Sequence, residues 1–173
     1  MGQALTNEQR PNPAASGSYV PGYVPVGLDK GVRDQLHEFR KRFLQVDLRI
    51  ERAMVSTAAE IVMQGPELLK QLHVEAELHL RYAPKPDEAS NADQHAKSDS
   101  VLIKRWVKRE VRTTAAAWGF EGADETINRV MVSAALRLVL AAEELHEKWV
   151  GLVADTVRWE VRQGFHSGRN KDS

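Results

Sequence analysis

The chain has no cysteine. That excludes disulfides, thiolate-bound metals and a cysteine nucleophile together, and it fits a reducing compartment. It has no excess charge of either sign, because 24 Lys and Arg balance 24 Asp and Glu. A surface coated in one charge is thereby excluded, while a local patch is not. It also lacks a long apolar run. The longest, Val130 to Ala142, is interrupted by Ser133 and Arg137 and is too short to span a bilayer. The first residues hold no apolar signal core, so the expected location is cytoplasmic. The phosphate-binding, dinucleotide, zinc-protease and nucleophile-elbow signatures are all missing. The expectation is a non-enzyme with no cofactor and no small-molecule substrate.

What is present is mostly helical periodicity, with enough apolar residues (42%) to build a core. Residues 1–27 are rich in Pro, Gly, Ser, Asn and Ala and read as an extended arm ahead of a helical domain over 28–166. From Asp29, a candidate N-cap, apolar residues recur at Val32, Leu36, Phe39, Phe43, Val46, Ile50, Met54, Thr57 and Ile61. All lie within about 40° of one line on a helical wheel, which predicts one long helix over about 29–64. Gly65-Pro66 ends it and opens a second helix over about 66–82. Residues 83–99 read as a polar, mobile linker. A third helix is expected over about 100–118, stopped by Gly119. A fourth is expected over about 124–163, followed by a polar tail at 167–173. In the fourth helix a second apolar row, with Val132, Leu136, Val139, Val150 and Val157, marks a central element with neighbours on both sides. No segment in the middle of the chain reads as a strand. The predicted fold is all-α: an elongated four-helix bundle of two long and two shorter helices behind a Pro-rich arm.

The third helix carries the sharpest chemical signal, "IKRWVKREVR". On a wheel, Lys104, Arg105, Lys108, Arg109 and Arg112 share one half, with Leu102, Ile103, Trp106, Val107, Val111 and Trp118 opposite. Five cations against one carboxylate give the segment a net charge of +4. Such a stripe can track a phosphate backbone without reading sequence. It can equally be a solvated face paired with Glu67, Glu75, Glu77, Glu143, Glu144 or Glu147, or a contact for an acidic protein or lipid surface. Glu110 falls in the centre of the apolar half. A buried carboxylate needs a partner, and Arg137, alone in its apolar run, is the predicted one.

Two further features bear on function. "EELH" and "DQLH" place Glu143 with His146 and Asp34 with His37 at spacings that helical bundles use for metals. Both histidines lie off the main apolar stripes, which leaves a metal-binding enzyme as the third reading. "MGQALT" matches an N-myristoylation pattern at Gly2, and a basic helix would supply the second signal that membrane attachment needs. A membrane-associated matrix-like protein is therefore the alternative reading.

In the arm, "YVPGYVPVG" presents Tyr19, Val20, Pro21, Tyr23, Val24 and Pro25. Prolines hold such a segment extended and lower the entropy lost on docking, and tyrosines are frequent anchors. The repeat is expected to dock on the chain's own bundle or on a neighbouring subunit. By architecture alone the chain resembles the small all-helical subunits of multi-protein nucleic-acid complexes, CRISPR effector small subunits among them. It is similar also to helical viral coat or matrix proteins. The resemblance implies a structural subunit whose partners are other proteins or copies of itself, and a nucleic-acid backbone.

Overall fold

The computed structural model describes residues 21–43, 48–82 and 100–164. The described chain is mostly helical, with one small two-stranded sheet. In order it forms β1 (Tyr23–Gly27), α1 (Lys30–Arg40), α2 (Leu48–Gln64), α3 (Pro66–Tyr82) and β2 (Ser100–Lys104). It continues with α4 (Arg105–Ala117), α5 (Asp124–Ala141), a 3-10 turn (Glu143–Leu145) and α6 (His146–Arg162).

Two helices form the centre. In α2 every residue from Arg52 to Ala59 is buried, and in α5 every residue from Val130 to Leu136 is buried. A helix apolar on all sides must have neighbours on all sides. Accordingly α2 packs against α5, α3, α6 and β2, while α5 packs against α1, α3, α4 and β1. The central position expected for the start of the fourth helix holds for α5. The equally central position of α2 was not expected from its single stripe.

Three boundaries differ from the sequence reading. The first predicted helix is two helices, α1 and α2, and the fourth is also two, α5 and α6. None of the described helices has the length predicted for the two long ones. At the second break Ala142 leaves helical geometry (φ −92°, ψ 85°). The His146 ring nitrogen Nε2 then lies 3.0 Å from the carbonyl oxygens of both Val139 and Leu140, where its N–H satisfies the exposed end of α5. The turn aims Trp149 into the core. Its indole N–H donates to the Met54 carbonyl and to Thr57 Oγ1, each at 3.1 Å, and its ring stacks on Phe39 at 4.6 Å. An apolar stripe that resumes in phase after a break cannot be told from a continuous one.

The third difference is β2, which occupies the first five residues assigned to the third helix. Val101 and Ile103 are buried, alternating with less buried neighbours. β2 pairs antiparallel with β1, in register from Tyr23 opposite Lys104 to Gly27 opposite Ser100. Residues 23–27 are thus part of the folded body rather than a free arm. Pro25 has no N–H to offer, which β1 tolerates because it has a partner on one side only. Gly22, at φ +78°, makes the entry turn in a conformation that favours glycine, and its carbonyl accepts the Arg105 N–H at 2.8 Å. Gly119, at φ +75°, ends α4 as expected.

Candidate nucleic-acid interface

Because the helix begins at Arg105, its buried face is set by Val107, Val111 and Ala115, at i, i+4 and i+8. The adjoining face presents Arg105, Lys108, Arg109 and Arg112, at i, i+3, i+4 and i+7. These four cations line one side of an open groove of about 790 Å³. Val24, Ala115, Phe120 and Ile127 contribute apolar lining, and Glu121 and Asp124 contribute acidic lining.

The cations are not equally available. Lys104 ends β2 rather than joining the helix. Its backbone N–H donates to Ser56 Oγ at 2.9 Å, and its amine lies 3.5 Å from Glu60. Lys108 is half-buried and donates to the Pro25 carbonyl at 2.9 Å. Its burial, together with the nearby Arg112, lowers the ammonium pKa below the ordinary lysine value, and the carboxylates of Glu125 and Asp124 partly oppose this. Arg112 bonds Asp124 at 2.5 Å, an exposed pair. Arg105 and Arg109 are exposed, and among the described residues neither guanidinium has an acidic partner. The stripe therefore reduces to two free arginines supported by two engaged cations.

The predicted Glu110–Arg137 pair is corrected. Removing five residues from the start of the helix shifts its buried face, so Glu110 lies exposed on α4. Arg137 of α5 instead donates to Asp29 Oδ2 at 3.1 Å, with Glu75 at 3.9 Å. It also donates to His79 Nε2 at 3.2 Å, while His79 Nδ1 lies 3.1 Å from the Glu75 carbonyl. Asp29 stands at the N-cap position of α1 without capping by its side chain. Its carboxylate serves Arg137, and Arg129 at 3.6 Å.

The assembly residues are corrected in part. Tyr19, Val20 and Gly2 lie outside the described residues, as do 83–99 and the tail. Tyr23 is buried in the chain's own body and so is no anchor for a neighbour. Its hydroxyl donates to Glu160 of α6, and its ring carries the Arg52 guanidinium 4.9 Å from the centroid. Arg52 in turn donates to Glu160 Oε2 from Nη2 at 2.8 Å and from Nε at 3.3 Å. The three residues close a buried network that joins β1, α2 and α6. Burial, reinforced by the Glu160 hydrogen bond and charge, raises the Tyr23 phenol far above its usual value, with Arg52 opposing. Neither Arg52 nor Glu160 was singled out from the sequence. The one available signal was that Arg52 opens the run of α2 that continues as Ala53, Met54 and Val55.

The histidines of the metal reading have other partners. His146 ends α5, and His37 lies 3.8 Å from Glu51. Among the described residues no three His, Asp or Glu side chains form a metal-binding group, and no helix is long and apolar enough to cross a membrane. No family model, curated protein or solved structure matches this chain.

Proposed function

We propose that the protein is a non-catalytic structural subunit. It holds a nucleic-acid backbone along the outer face of α4, without reading base sequence, and meets other proteins or further copies of itself through separate surfaces. The observation that carries this reading is the pair Arg105 and Arg109. They stand one helical turn apart, exposed and free of acidic partners among the described residues. An unpaired guanidinium on a rigid helix is a ready donor to phosphate oxygens. Lys108 and Arg112 add positive charge on the same face. Protein contact is supported by a second exposed stripe on α3, where Val74, Leu78 and Tyr82 recur at i, i+4 and i+8. Exposed apolar side chains in such a row mark a surface that partners cover.

The test is binding of labelled nonspecific RNA and DNA at low salt, followed by fluorescence anisotropy. The parent protein is expected to bind, with affinity that falls as salt rises. Replacing both Arg105→Glu and Arg109→Glu should weaken binding about tenfold or more while circular dichroism shows the same helix content. A parent that does not bind, or a double variant that binds equally well, refutes the reading.

A further inference from the structure

Trp106 stands beside the cationic face with half of its surface open to solvent. The sequence pattern assigned it to the core, yet it is 50% exposed. Among the described residues its indole makes no ring contact or hydrogen bond. The other three tryptophans are all engaged. Trp149 is fully buried, Trp118 stacks on His73 at 4.4 Å, and Trp159 has a partner of its own. Trp106 is thus a half-exposed aromatic surface on the second residue of a packed helix.

From this placement we infer that the polymer bound along α4 is single-stranded, and that Trp106 is the platform on which one of its bases stacks. The inference rests on the backbone contact proposed above. At 100° per residue, Trp106 lies about 60° round the helix from Arg109. One phosphate chain on Arg105 and Arg109 therefore leaves its bases within reach of the indole. Glu110, one turn after Trp106, lies on the side away from Arg105. Its carboxylate repels phosphate, so the backbone stays on the arginine side and the bases point to the indole side. A duplex keeps its base faces stacked inside and offers them to no side chain. A single strand exposes them, and stacking on an aromatic ring beside a cationic track is the general means of holding it without sequence preference. RNA and DNA single strands share this chemistry.

The experiment uses labelled oligonucleotides of about twelve nucleotides, within the usual site size. Single-stranded RNA, single-stranded DNA and both duplexes of the same sequence are titrated into the full-length parent, Trp106→Ala, Trp106→Phe and the Arg105→Glu/Arg109→Glu double variant. The parent should prefer the single strands and show fluorescence quenching that Trp106→Phe removes. Trp106→Ala should weaken single-strand binding on the order of tenfold and leave duplex binding unchanged, and Trp106→Phe should retain most of the affinity. A preference for RNA or DNA within the single strands identifies which of the two is held. If the double arginine variant loses binding while Trp106→Ala weakens single strand and duplex equally, or neither, the single-strand inference fails and the backbone reading survives. If the parent binds no oligonucleotide, both fail.

Discussion

Two arginine-centred regions of this molecule use the same chemistry to opposite ends. In the interior, Arg52 is 4% exposed and Glu160 1% exposed, and their bond is completed by the Tyr23 hydroxyl. On α4, Arg105 and Arg109 stand in water without a partner among the described residues. A guanidinium buried with its partners satisfied ties three elements together, and its removal strands a charge. A guanidinium left open contributes little to the fold and keeps its donors for something outside it. The difference lies in neighbours, not in residue type, and it separates the part of the chain that holds the structure from a part whose donors stay open to solvent.

The comparison can be broken hardest at Glu160. Glu160→Ala leaves Arg52 buried without its counter-charge, and the expected loss is about 3–5 kcal/mol in urea denaturation. A loss near zero would mean that the interior pair is no more structural than a surface one. Tyr23→Phe is the next largest. It removes one hydrogen bond to a charged group while the Arg52–Glu160 pair stays, for an expected loss of about 2 kcal/mol. The same hydroxyl predicts a pH dependence. Its folded pKa lies above the usual tyrosine value of 10.0. In alkali the unfolded chain therefore loses this proton first, and the folded state binds more protons. Stability should be intact below about pH 10 and fall as pH rises beyond it, with Tyr23→Phe flattening that fall. Denaturation curves across the alkaline range decide it. The smallest effect is expected at the exposed Arg112–Asp124 pair. Asp124→Ala should change stability by about 1 kcal/mol or less. It should also strengthen low-salt oligonucleotide binding about two- to threefold, because Arg112 is released to the cationic face. A larger stability loss, or weaker binding, would blur the line between the two regions.

Part of this was legible in the residues. Gly65-Pro66 and the stripe that follows mark α3 at the bounds observed, Pro66–Tyr82. The four helical cations also share a face as their spacing predicts. The breaks were not legible, because Phe39 and Trp149 lie on stripes that continue in phase across them. β2 was not legible either. A short apolar run such as "SVLIK" fits strand and helix alike, and its partner lies more than seventy residues earlier. That one misassigned segment accounts for both errors on α4. It placed Glu110 and Trp106 on a buried face that the shorter helix does not have.

The sequence by itself determined the helical character, the balance of charge and the clustering of cations between Lys104 and Arg112, because these depend on composition and local spacing. Only the tertiary structure decided which charges are free. Whether an arginine meets a carboxylate depends on residues far away in the chain, as Arg52 depends on Glu160 and Arg137 on Asp29. No local periodicity carries that pairing, since it is fixed by how the helices and the β1–β2 pair pack.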